Sequence, residues 1–175
     1  MKKYFNYTVK KAVSVKNLVT LEYLNLSPSF TYPQEVHDFY EFAYVDSGSL
    51  VCQCDNQEIV LNKNDFFLIS PSVSHGYLIK KDKTASVFIV CFNCKSDILS
   101  AISGISTLDV TQKDMVSKIL AESQKAFQFP FDKKLVLLEN PVFGAQQLIE
   151  STIEELLISL VRLKISKSTD IKMVN

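Results

Sequence analysis

The sequence predicts a mainly β fold followed by C-terminal α-helices. Apolar residues from about Leu18 to Phe92 alternate with a period of two and are punctuated by turn residues. After about Ser96 the apolar period lengthens to that of helices. A third observation points to a site in the β half: the chain holds only two histidines, His37 and His75, both set among carboxylates and turn residues.

The strands follow in order. Val19 to Leu24 alternates, and Ser27-Pro28-Ser29 breaks it. His37 to Val45 is rich in aromatic and β-branched residues, and Asp46-Ser47-Gly48 reads as the turn that ends it. Leu50–Cys54 and Glu58–Leu61 flank Asp55-Asn56-Gln57, a hairpin signal. Asn62 to Asp65 is another turn, and Phe66 to Ser70 is a strand stopped by Pro71. Tyr77–Ile79 and Ser86–Phe92 complete the set across the polar run Lys80–Lys83. Short strands at this spacing build a small barrel or sandwich.

In the second half, Thr111-Gln112-Lys113-Asp114 has the form of a capping box before a helix with Val116, Ile119, Leu120 and Phe127 near one face. Pro130 interrupts, and Asn140-Pro141 reads as a second helix start. Ile149, Ile153, Leu156, Leu160 and Leu163 then repeat at 4-3-4-3 spacing, a seam suited to helix–helix packing. Leu157 and Val161 widen the stripe beyond what one contact requires. The five seam residues are therefore expected at a homodimer interface, while Leu157 and Val161 face the chain's own barrel. The stretch from Ser166 to Asn175 is polar and is expected to be a frayed tail.

Composition narrows the function. At 47% hydrophobic residues the chain can bury one domain's core with a helical appendage. Lys plus Arg equals Asp plus Glu at 19 each, so no electrostatic footprint for nucleic acid exists. Lys2-Lys3 and Lys10-Lys11 read as solvated surface. No apolar signal region follows the N-terminus, and no apolar run approaches the roughly 18 to 20 residues that span a bilayer. A cytoplasmic location without membrane contact is expected, with the four cysteines reduced. Cys52-x-Cys54 and Cys91-x-x-Cys94 have a zinc-like count, but Cys91 and Cys94 differ in strand parity, so buried free thiols are the expectation.

On a strand, Glu35, His37, Phe39, Glu41 and Ala43 share one face, and Val36, Tyr40, Phe42 and Tyr44 the other. If the first set faces a barrel interior, the aromatics face outward and the C-terminal helices can cover them. His75 meets His37 only if the barrel closes. Glu35, His37, Glu41 and His75 would suit divalent iron, manganese or zinc. The same groups equally suit the hydroxyl or carboxylate groups of an organic ligand, which is the reading expected here: ligand contacts from His37, Phe39, Glu41 and His75, and no cofactor or metal.

Two motifs carry a resemblance. Glu35-x-His37-x-x-x-Glu41-x6-Gly48, then Asn64-Asp65 and Pro71-x-x-x-His75, resemble the motif pair of a cupin barrel, a double-stranded β-helix. In metal-binding cupins the first motif supplies His, His and Glu; here Glu35 stands in place of the first histidine. The run His37 to Gly48, with Leu61-x-x-x-Asp65-Phe-Phe-Leu-Ile-Ser-Pro71, His75 and Val87–Phe92, resembles the N-terminal domain of AraC-family transcription regulators. The helix ending Leu160-Val161-Arg162 resembles that family's dimerisation helix.

The resemblance implies a non-enzymatic, cupin-like effector-binding barrel over 1–96 with an N-terminal arm, helical dimerisation over 97–165, and an interdomain linker from 166 to 175. It also implies that DNA is reached only through a C-terminal domain absent from this chain. The arm carries Tyr4, Phe5 and Tyr7, and Tyr7 is expected to reach the ligand. The alternative is a metal-dependent cupin enzyme, an oxygenase or isomerase.

Overall fold

In the computed structural model, the described residues are 3–55, 57–131 and 133–173, with side chains described as far as Ser166. Among these residues are eight strands: β1 (Val15–Leu26), β2 (Thr31–Glu35), β3 (Tyr40–Cys54), β4 (Gln57–Asn62), β5 (Asp65–Ile69), β6 (His75–Leu78), β7 (Ala85–Cys94) and β8 (Gly104–Thr107). A 3-10 helix spans Asp97–Ile102, and two α-helices follow, α1 (Val110–Ala126) and α2 (Ala145–Met173).

All strand pairings are antiparallel, and β3 organises them. Its first half lies between β7 and β5, in a sheet ordered β1-β7-β3-β5-β8. Its second half lies between β4 and β6, with β2 beyond β6. One strand thus belongs to two sheets, which fold over one another.

The bend in β3 falls at Asp46-Ser47-Gly48, where the sequence predicts a turn. The strand instead continues through a register shift between Val45 and Ser47. Gly48 has φ +75°, and a Cβ there would lie 1.9 Å from the Thr84 carbonyl oxygen. A bulge with a glycine gives the same local signal as a hairpin turn.

Strand alternation divides the core in two. Ala43, Val45, Leu50, Cys52, Phe67, Ile69, Val87 and Ile89 fill the barrel interior. Phe42, Tyr44, Phe66, Leu68, Phe88, Val90 and Phe92 point the other way, and the helices cover them with Val116, Ile119, Ile149, Ile153, Leu156, Leu157, Leu160 and Val161. β5 and β7 are buried on both faces, which is why they read as continuous apolar runs.

Several boundaries differ from expectation. β2 was hidden by Pro33; it pairs only with β6 and has a register shift between Tyr32 and Glu35, positions where a strand tolerates proline. β8 adds to β5, so the sheet runs past residue 96 to Thr107. The capping box lies two residues early: Asp109 accepts from the Gln112 amide at 2.8 Å, and the Gln112 side chain accepts from the Asp109 amide at 3.0 Å. Asn140-Pro141 does not start α2, because the Val142 amide donates to the Lys125 carbonyl and ties that segment to the end of α1. The α2 backbone stays helical to Met173 rather than fraying from Ser166.

The seam on α2 is also reassigned. Ile149, Ile153 and Leu156 are fully buried within the chain and Leu160 nearly so, all against the outer face of the barrel together with Leu157 and Val161. Only Leu163 of the five is exposed. A wide apolar stripe indicated two contacts, but the aromatic face of the sheet is broad enough to cover nearly all of it.

Candidate functional site

A cavity of about 200 Å³ opens inside the barrel. β1 contributes Thr20, Glu22, Leu24 and Leu26, the alternate residues of one strand face. Phe30, Tyr32 and Glu35 come from β2 and its approach, His37 and Phe39 from the β2–β3 loop, and Glu41 and Leu50 from β3. Tyr77, Ile89 and Cys91 form further wall, and Lys133 reaches in from the α1–α2 connection.

Glu41 is the hub of the polar end and is only 3% exposed. The Tyr77 hydroxyl donates to its Oε1 at 2.5 Å, and the Cys91 thiol donates to Oε2 at 3.2 Å. His37 Nε2 lies 3.4 Å and His75 Nε2 3.6 Å from the same Oε2. His75 Nε2 is fully buried and has no hydrogen-bond partner among the described residues; it forms an ion pair with Glu41 when the ring is protonated. Each histidine's Nδ1 lies 3.0 Å from a backbone carbonyl, Phe39 for His37 and Val73 for His75. That fixes both rings with Nε2 turned toward the carboxylate.

Local structure explains the placement. His37 stands in a loop rather than on the strand where parity put it; its ring stacks on Phe39 at 3.9 Å, and its carbonyl accepts from the Ser72 amide at 2.7 Å. His75 lies on β6 between Glu35 of β2 and Cys54 of β3. Gly76 beside it lets β2 approach, since a Cβ would sit 2.9 Å from the Tyr32 carbonyl oxygen. The His37 and His75 ring centroids are 4.8 Å apart.

The electrostatics follow from this packing. Burial pushes the Glu41 carboxyl up, but His37, His75 and Tyr77 outweigh it and hold it at about 2. Burial lowers His75, yet Glu41 and the Val73 carbonyl raise it above its ordinary value. Burial and then Glu41 push the Tyr77 phenol and the Cys91 thiol upward, so both remain protonated donors.

His37, Phe39 and Glu41 line the cavity, and His75 is buried behind them. Tyr7 does not join them: it is 91% exposed, beside equally exposed Tyr4 and Phe5, and nothing packs the arm onto the barrel mouth. The sequence reading missed Thr20, Glu22, Tyr32, Tyr77, Cys91 and Lys133. Thr20 and Glu22 were legible as one face of β1, with Glu22 a charge between Leu21 and Tyr23; Lys133, from a distant loop, had no local signal. All four cysteines are free, with Cys52 and Cys91 buried and Cys54 and Cys94 half-buried.

The donor set also suits a cation. Ligand atoms of Glu35, His37, Glu41 and His75 all lie within 4.8 Å of one another, and each ring is oriented by a bond from Nδ1 to backbone, as metal-binding histidines usually are.

The described residues thus form an antiparallel barrel with an internal cavity, backed on one outer face by helices. The chain belongs to the AraC-like ligand binding domain family, whose model matches residues 23–157. The fold is the cupin-like one expected from the sequence. Among curated proteins none matches the sequence. A cupin protein from Bacteroides fragilis is 17% identical over 53% of this chain and 86% of that one, with TM-score 0.39. An RmlC-like cupin from Shewanella frigidimarina is 15% identical over 55% of this chain and 96% of that one, with TM-score 0.37. A predicted oxalate decarboxylase from Thermotoga maritima is 15% identical over 42% of this chain, with TM-score 0.40; the match covers 64% of that protein, less than two thirds of it. No helix among the described residues is long and apolar enough to cross a membrane.

Proposed function

We propose that the domain is the effector-sensing part of an AraC-type transcription regulator, binding a small organic molecule in the barrel without chemistry upon it. The observation that carries this is the cavity itself: an apolar chamber of about 200 Å³ with one polar end whose donors and acceptors mostly satisfy one another. His37, Phe39 and Glu41 are the contacts proposed for the ligand, with His75 as Glu41's support. In this reading the protein works in the cytoplasm, and DNA is contacted by a separate domain joined beyond α2. The balanced charge of this chain offers DNA no footprint. Homodimerisation uses the part of α2 that the barrel leaves open, with Leu148, Leu163 and Ile165 exposed on it. The Tyr4–Tyr7 arm, free of the body, is available to fold over an occupied mouth.

A thermal-shift screen with sugars, aromatic acids, amines and divalent metals tests the reading. A ligand bound only by the folded state stabilises it by about 2.7 kcal/mol at a hundredfold excess over Kd. The expected result is at least one organic hit whose shift disappears in His37→Ala. A screen in which no organic class shifts the melting temperature counts against a sensor.

One observation favours a second reading, a metal-dependent enzyme such as an oxygenase or isomerase: the buried His75 Nε2 lacks a hydrogen-bond partner beside three further donors. A divalent ion held by Glu35, His37, Glu41 and His75 would act there as a Lewis acid. Metal analysis of protein purified without chelator separates the two. Stoichiometric iron, manganese or zinc, lost in His37→Ala, supports the enzyme; metal-free protein that still binds an organic hit supports the sensor.

A further inference from the structure

We propose that the cavity takes a neutral molecule of one aromatic ring, a phenol, whose hydroxyl donates to Glu41 and whose ring lies against the apolar wall. This rests on the sensor reading and narrows it to one ligand class.

The first argument is that the charges of the wall are already engaged within the chain. Glu41 receives Tyr77 and Cys91 and faces both histidines. His37 meets the Phe39 carbonyl with Nδ1 and Glu41 with Nε2. Glu35 accepts from the Tyr32 hydroxyl at 3.3 Å. Glu22 and Lys133 have interactions of their own, and Lys133 Nζ also lies 5.8 Å from the centroid of the Tyr32 ring. An ammonium or a carboxylate entering here gives up its hydration and must break one of these contacts to find a counter-charge. A neutral molecule breaks none.

The second argument is the size and lining of the chamber. Leu24, Leu26, Phe30, Leu50 and Ile89 line it, with Phe39 next to the polar end. A ring carrying many hydroxyls would leave most of them without partners against such a wall. An engineered apolar cavity of about 150 Å³ takes benzene. At about 200 Å³ this one holds a single ring with a few substituent atoms.

The third argument is one open acceptor. An ionised carboxylate accepts only, and each of its oxygens can take two hydrogen bonds. Among the described residues Glu41 Oε1 receives one, from Tyr77, whereas Oε2 receives Cys91 and faces both imidazoles. Glu41 lines the cavity, so a ligand hydroxyl can donate to Oε1 and leave every existing bond in place. A phenol supplies that donor and stays neutral at physiological pH.

Calorimetric titration of the chain with p-cresol, anisole, benzoate, benzylamine and myo-inositol tests this. p-Cresol is expected to bind about tenfold or more tightly than anisole, which keeps the ring and lacks the donor. No binding of the other three is expected at concentrations that saturate with p-cresol. 4-Nitrophenol, which ionises near neutral pH, is expected to bind below its own pKa and to lose about tenfold or more in affinity above it, while p-cresol is unchanged over the same range. In Glu41→Gln the advantage of p-cresol over anisole is expected to shrink severalfold; should that variant fail to fold, the wild-type comparisons decide. Benzoate, benzylamine, myo-inositol or anisole binding as tightly as p-cresol overturns the proposal. So does a 4-nitrophenol affinity indifferent to its ionisation, an advantage undiminished in folded Glu41→Gln, or a p-cresol Kd weaker than about 10 mM. A sugar, acid or amine that fills the cavity where p-cresol does not removes the phenol and leaves the sensor standing. A thermal-shift screen widened to neutral phenols that returns no organic hit removes the sensor itself.

Discussion

Glu41 is a buried carboxylate that receives a phenol and a thiol and faces two imidazoles. Its folded value of about 2 lies below the ordinary 4.5, so the stability it contributes is fully present above about pH 4.5 and is lost as pH falls toward 2. That contribution is on the order of 3 kcal/mol. His75 is raised, so its contribution is fully present below its ordinary 6.5 and is lost as pH rises through its folded value. Urea unfolding of chelator-treated protein should therefore show a plateau from about pH 4.5 to 6.5, with a loss on each side. In Glu41→Gln the difference from wild type should shrink on both limbs, since the two groups support each other. An unchanged difference between pH 6 and pH 2.5 would show that Glu41 is not held ionised by its neighbours.

At the scale of elements, parity was the informative signal and also the limited one. It correctly sent Ala43 inward and Phe42 and Tyr44 outward under the helices. It could not distinguish a bulge from a turn at Gly48, because both use a positive φ. It assigned His37 to a strand although the residue stands in a loop, and the ring still reaches Glu41 because Phe39 and Ser72 hold it there. The α2 stripe was legible as apolar, but how much of it one sheet can cover depends on the curvature of that sheet, which no local pattern carries. The consequence is measurable. Leu160→Glu places a charge in the chain's own core and is expected to cost more than about 3 kcal/mol in unfolding free energy. Leu163→Glu, at an exposed position, should change it by less than about 0.5 kcal/mol. Equal melting temperatures for the two variants would place Leu160 outside the core.

At the scale of the whole molecule, two cores share one set of strands. The outer core joins sheet to helices, and the inner one ends at a cavity. The exposed apolar residues of α2 lie away from both. Under the proposed regulator reading, analytical ultracentrifugation of wild type at tens of micromolar should show a dimer. A Leu163→Glu/Ile165→Lys double variant should be a folded monomer or sediment as a weakened dimer. A wild-type monomer at that concentration would confine the account to the barrel.

In the proposed function, a small molecule enters the barrel beside Glu41. The most direct measurement is calorimetric titration of the strongest screening hit into wild type and into Leu24→Trp. Leu24 is half-buried on the cavity wall, so the larger ring occupies the ligand's volume without replacing a fully packed core side chain. One molecule is expected to bind per wild-type chain, and none detectably to a Leu24→Trp protein that retains its circular dichroism and cooperative melt. Undiminished binding by that folded variant would place the ligand elsewhere on the protein and contradict the claim.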